Sequence, residues 1–234
     1  MGCPSVAIKM QQVDEEMGRQ NGPVFNPTTF SLSKGTIALT QIETGETFLW
    51  ACNNSGSSDT ILTWHIATSI LEVRHSYKQG SPLISVHKVA ATHLSRYCVY
   101  LMSCYPELLP DNNIKWIKSL YKVIRMDSQL ALIGHDVATG LSDPEAKYKK
   151  VVDLLTANSN DEVLKNGVRL GKQFVDLMDE EMAWRVMAIF WSEMVLYIAQ
   201  SSSAQAHLEA IARGCELLTP LWALLAHAGI VSLP

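Results

Sequence analysis

The chain has 234 residues, 47% of them hydrophobic and 18% charged, with a formal net charge of −4. Mild, dispersed acidity excludes the bulk electrostatics of a nucleic-acid binder, so no nucleic-acid partner is expected. The length allows one or two domains and a full core without staples. The five cysteines, Cys3, Cys52, Cys98, Cys104 and Cys215, are odd in number and far apart. That pattern predicts reduced thiols rather than a disulfide framework. Cys98 and Cys104 lie in an apolar segment and are expected as small core residues.

Residues 1–35 are polar and carry the turn signals Gly22-Pro23, Asn26-Pro27 and Lys34-Gly35. They lack the basic start and apolar run of a signal peptide. No transmembrane segment is expected either, so the expected location is the cytoplasm or the cytoplasmic face of a membrane. Thr36-Ile-Ala-Leu39 and Thr47-Phe-Leu-Trp-Ala-Cys52 are short enough to be strands or helical turns. Residues 1–58 are therefore expected to form an irregular N-terminal arm. Helical periodicity starts at Asp59, a predicted N-cap, and runs to the breaker Gly80-Ser81-Pro82. A second helix is predicted from about Ser85 to Cys104, closed by Pro106 and Pro110. Asp111-Asn112 can cap a third, ending near Ile133. Ser142-Asp143-Pro144 opens a fourth, Glu145 to Leu155, with proline in its first turn. A fifth spans about Asp161 to Met178 and a sixth about Glu180 to Gln200. A seventh follows Ser201-Ser-Ser203 and ends near Gly214. The result is an all-α fold: a single array of about seven or eight helices over residues 59–234.

The closing run from Leu217 to Val231 is apolar on every side, interrupted by Thr219, Pro220 and His227. A helix apolar all round belongs in a large core or in lipid. A bilayer span needs about 20 such residues, so a deeply buried closing helix is expected. Proline at 220 requires that helix to begin near Glu216, where the missing N–H would be unpaired anyway.

Several ordered motifs resemble a plant family. Ile61-Leu-Thr-Trp-His-Ile-Ala-Thr68 is similar to its LWHIAT signature. Leu94-Ser-Arg-Tyr-Cys-Val-Tyr-Leu-Met102 with Tyr105-Pro-Glu-Leu-Leu-Pro110 resembles a second signature, and Val163-Leu-Lys-Asn-Gly-Val-Arg-Leu170 a weaker third. Trp191-Ser-Glu-Met194, Ala206-His207, Gly214-Cys-Glu-Leu-Leu-Thr219 and Trp222-Ala-Leu-Leu-Ala-His-Ala-Gly229 resemble the C-terminal domain of unknown function 594. Cys215 stands where the family has a second glycine, and Pro220 where it has an apolar residue. The resemblance implies a relative that usually follows a membrane-spanning domain of unknown function 4220, a segment with no counterpart in this sequence. It implies kinship and no activity.

His65, Glu193 and His227 interrupt apolar runs, with His207 and Glu216 near in sequence. A buried carboxylate is costly unless paired, and histidine is its natural partner near neutral pH. Glu193 with His65, His207 and His227 is thus the candidate catalytic or metal-binding set of a hydrolase-like or metal-dependent enzyme. The preferred reading of the same residues is a hydrogen-bonded core network that fixes helix register, and Glu193 is expected to pair with His207 or His65. Glu72-Val-Arg-His75 has Glu-x-x-His spacing, but a di-iron bundle needs two such motifs. No phosphate loop, H-E-x-x-H or G-x-S-x-G occurs, and no cofactor is expected.

Lys115, Lys118, Lys122 and Arg125 recur at helical spacing beside Trp116, Leu120, Val123 and Ile124. Such a helix presents either a solvated face or a contact for an anionic membrane surface. Together these features predict a non-enzymatic helical interaction or regulatory module with an unidentified protein partner. The alternatives are the Glu193/histidine enzyme, a peripheral membrane-surface module, and a truncated paralogue without a retained role.

Overall fold

Tryptophans and small residues, rather than charged ones, set the geometry of this chain. The computed structural model describes residues 33–230 except 55, 76–84, 112, 133–142, 159–160, 202–203 and 214–216. All described residues belong to one unit, Leu32–Pro234. Among them are nine α-helices and no strand: α1 (Thr36–Thr40), α2 (Ser57–Arg74), α3 (Val86–Cys104), α4 (Ile114–Leu132), α5 (Pro144–Asn158), α6 (Glu162–Leu177), α7 (Glu180–Ser201), α8 (Ala204–Ala212) and α9 (Leu218–His227). Short 3-10 helices lie at Gly45–Cys52 and Pro106–Leu108. The all-α expectation therefore holds, with predicted and observed helices matching in order.

The centre is built from α2 and α7. Helix α2 packs most extensively on α6, and α3 on α7. The α2–α6 approach depends on glycine. A Cβ at Gly167 would stand 2.6 Å from the Ile66 Cβ, and one at Gly171 would stand 3.0 Å from the Ile70 Cβ. Two small residues one turn apart let the backbones close on each other, so the Ile66/Ile70 ridge fills the groove they leave. Trp64, Trp184, Trp191, Phe174 and Phe190 are fully buried. Trp64 stacks on Phe190 with centroids 3.5 Å apart and meets Phe174 edge-on at 5.7 Å.

Residues 33–58 enter this core instead of forming an arm. Leu39, Phe48 and Ala51 are wholly buried, and Phe48 stacks on Phe174 at 4.3 Å. The two ambiguous segments are thus helical: α1 and the 3-10 turn. Gly35 makes the entry possible, with φ at 87° and no room for a side chain against Phe190. The expected arm over residues 1–32 lies outside the described residues, as does the breaker at 80–82.

The start of α2 corrects a second expectation. Asp59 is the third helical residue and not the N-cap. Asp111, 52 residues further on, takes that role. Its Oδ1 accepts from the Ser57 N–H at 2.9 Å and its Oδ2 from the Ser58 N–H at 2.8 Å. The Ser58 hydroxyl donates to the same carboxylate. Burial opposes the Asp111 charge, yet these hydrogen bonds outweigh it and hold the carboxyl below its ordinary range. Asp59 moves the other way, because burial and the neighbouring Asp111 both disfavour its anion.

The closing helix departs furthest from expectation. It begins at Leu218, so Pro220 sits in its first turn as required. In α9, only Leu218, Thr219 and Leu225 are buried, while Leu224 is 64% exposed and the preceding Leu217 44%. One side packs on α7 and α8, and no described element covers the other. Apolarity on all sides did not produce burial on all sides. Helix α7 is the one described helix long and apolar enough to cross a membrane, and 61% of that stretch is buried inside the protein.

Candidate functional site

Three of the four candidate catalytic residues stand at different contacts between elements, and the fourth, His227, is exposed. His65 projects from α2 toward α3, where its Nδ1 lies 2.8 Å from the Ser95 hydroxyl. Burial, aided by the Arg96 charge, pushes its pKa down to about 4. Arg96 itself pairs with Glu72 at 2.7 Å, which takes that carboxylate out of any Glu-x-x-His site. A neutral imidazole bonded to a buried serine joins two helices. The serine is 1% exposed, so no substrate reaches it.

Glu193 is half-buried on α7 and accepts a 2.5 Å hydrogen bond from the Ser33 hydroxyl. Ser33 Oγ in turn accepts from the Thr36 and Ile37 N–H groups, at 2.9 and 3.2 Å. The carboxylate therefore anchors the first turn of α1 to α7. His207 is fully buried between α8 and α9. Its Nδ1 lies 3.3 Å from the Thr219 hydroxyl, and its ring stacks on Trp222 with centroids 4.5 Å apart. Burial lowers its pKa. His227 is exposed at the end of α9. Among the described residues no group of three or more His, Cys, Asp or Glu side chains can hold a metal ion. Glu216 lies outside the described residues.

The buried thiols are unsuited to nucleophilic work. Burial drives Cys52 up to about 12, with Glu193 adding to the rise, and burial drives Cys98 higher still. Cys104 is exposed, contrary to its expected place in the core.

The sequence motifs meet one another rather than a cleft. Thr68 accepts a 3.0 Å hydrogen bond from the Trp191 indole and donates to the Trp64 carbonyl at 2.8 Å. Ile66 faces Gly167, so the segment 61–68 reads against 163–170 on one side and 191–194 on the other. Leu218 N–H donates to the Tyr97 hydroxyl at 3.1 Å, and Tyr105 donates to the Arg213 carbonyl at 3.2 Å. These bonds tie the second signature to the last. The motifs thus encode packing between α2, α3, α6, α7 and the closing pair.

Two surfaces remain. Leu208, Ile211, Leu217 and Leu224, on and beside α8 and α9, are 44–64% exposed. On α4, Lys115, Lys118, Lys122 and Arg125 are all exposed, together with Trp116 at 56% and Ile114 at 42%. Ile117 and Leu120 on the same helix are buried, so the basic face is the outward one. The spacing of the basic residues carried the signal for the second surface. Nothing in the sequence distinguished the uncovered side of α9 from its covered side.

No curated protein and no solved structure matches this chain. A protein-family model matches residues 176–230, which comprise α7, α8, α9 and their connections. The matching model is described as protein of unknown function, DUF594, and its match is to the closing region of this chain.

Proposed function

We propose that the chain is a non-enzymatic helical interaction module that docks a partner protein through the closing pair α8–α9. The observation that carries this reading is the exposure of Leu208, Ile211, Leu217 and Leu224 on a segment whose last helix has no Asp, Glu, Lys or Arg. Large apolar side chains exposed together on one segment are a usual mark of a protein contact. The polar groups of the chain offer less to catalysis. Burial disfavours the charged forms of His65 and His207, and the Ser95 hydroxyl is sealed within the core.

The fitting partner presents an apolar helix face, which would lie along α9 with few charged contacts. A photo-crosslinking residue at position 224 or 208 should capture that partner in source tissue. The same group at Lys149, exposed on α5, is the control. Equal capture at 224, 208 and 149 would reject the reading.

The exposed face of α4 favours a second role at an anionic membrane surface. Lys115, Lys118, Lys122 and Arg125 would meet lipid headgroups, and Trp116 would enter the interfacial layer. Flotation with anionic liposomes tests it. Binding that survives neutralisation of all four basic residues argues against this contact.

A further inference from the structure

Helix α6 is strongly two-sided. Its inner face, with Leu164, Gly167, Val168, Gly171 and Phe174, is buried against the core. Its outer face carries Lys165, Arg169 and Lys172 at i, i+4 and i+7, one stripe along the helix. Where this stripe meets the end of α5 at Thr156, it lines a groove of about 380 Å³ with Gln173 and Asp176. That volume lies in the range of small-molecule sites.

Two features make the groove more than a row of solvated lysines. The Arg169 guanidinium lies over the Trp50 ring, 4.4 Å from its centroid. The Trp50 indole N–H donates to Gln173 Oε1 at 3.1 Å. An indole nitrogen only donates, so the Gln173 amide must present its oxygen to Trp50 and keep its NH2 as a donor elsewhere. Stacking fixes the guanidinium plane and reduces the rotamer entropy lost on binding. Among the described residues, neither Arg169 nor Lys172 stands in an ion pair, whereas Lys165 is taken by Glu162 at 3.0 Å. Asp176, one turn beyond Lys172, lines the same groove and opposes an anion at that end.

We propose that this groove binds a phosphate monoester, with the Arg169 fork on two phosphate oxygens, Lys172 on the third, and the Gln173 amide donating beside them. Two cations lining one groove match the charge of a phosphate ester, about −1.5 to −2 at neutral pH. A monoanionic carboxylate would leave one of them unanswered. The site is independent of the α8–α9 face, so either can fail alone. Its sequence signal is the spacing of Lys165, Arg169 and Lys172. Trp50 and Gln173 join through tertiary contact.

The test is a titration of the full chain, followed by NMR of backbone amides and indole N–H groups at constant ionic strength. Inorganic phosphate is the first probe, with sodium acetate and chloride as controls. Saturable shifts centred on residues 156–176 and the Trp50 indole are expected, with a dissociation constant of roughly 1–10 mM for so small an ion. Arg169→Gln should weaken binding about tenfold or more, and Arg169→Lys, which keeps charge without the fork, should fall between. Glucose 6-phosphate and vesicles containing phosphatidylinositol 4-phosphate then separate a soluble ester from a lipid headgroup, and tighter binding of either supports the site. Shifts no larger than those from acetate, shifts centred on α4, or full affinity in Arg169→Gln would overturn it. Mapping on the unaltered chain decides the matter even if a variant misfolds.

Discussion

The α2–α6 interface and the closing α8–α9 pair are both apolar in sequence, yet they are used in opposite ways. In the first, Gly167 and Gly171 leave a groove that Ile66 and Ile70 fill, and both glycines are buried. In the second, the closing helix has apolar side chains all round and an array that covers only one side. The contrast teaches that composition fixes how much apolar surface a segment carries, while the surrounding fold decides how much of it meets protein. Surplus apolar surface outside the core is what a partner can use.

The largest test of this contrast truncates the interface side. Trp64→Ala removes a ring stacked on Phe190 and edge-on to Phe174 and should cost about 3–5 kcal/mol in urea unfolding. A loss as small as that of a surface substitution would mean the aromatic centre is not the core it looks to be.

The next effect comes from acid. His65 has a folded pKa of about 4, below its ordinary 6.5, so the folded state disfavours its proton. Its contribution is fully present above about pH 6.5, declines as pH falls, and is lost by about pH 4, amounting to roughly 3 kcal/mol at most. Burial depresses His207 in the same direction. The pH dependence of unfolding should therefore be shallower between pH 6.5 and 4 in His65→Gln than in the unaltered chain. Parallel curves would contradict the buried neutral imidazole.

Gly167→Ala introduces a Cβ 2.6 Å from the Ile66 Cβ, and overpacking there should cost about 1–3 kcal/mol. Asp111→Ala removes the acceptor for two α2 amides and should cost about 1–2 kcal/mol, with faster exchange of the Ser57 and Ser58 amides as its local signature. The smallest effect belongs to the other side of the comparison. Leu224→Gln should change stability by no more than about 0.5 kcal/mol, while abolishing capture of a partner at the α9 face. A large loss of stability would move Leu224 into the core and end the contrast.

Much of the fold was legible in the sequence because helical periodicity and punctuation are local. The fifth predicted helix starts at about Asp161, and Asp161 caps it, as α6, through the Val163 N–H at 2.7 Å. Pro144 and Pro220 both fall in first turns. The failures share one cause, which is dependence on distant residues. Asp59 has the right identity for a cap, yet Asp111 occupies the site from across the chain. Thr36–Leu39 is too short for a period, and its helix is set by Ser33, Gly35 and the Glu193 tether. Glu193 and the histidines were identifiable as polar residues in apolar runs, but their partners Ser33, Ser95 and Thr219 were not. The outward basic face of α4 was visible as spacing. Exposure of Leu224 was not, because it depends on which elements fail to arrive.

The carboxylate that closes the start of α2 has a kinetic meaning as well as a structural one. Asp111 follows the turn after α3, so the first turn of α2 lacks its side-chain acceptor until α3 has folded back against it. Helix α2 can nucleate from its middle, but its N-terminal amides become protected only when the α2–α3 hairpin closes. Pulse-labelled exchange should thus show the amides of Ser57 and Ser58 acquiring protection together with α3, later than the centre of their own helix.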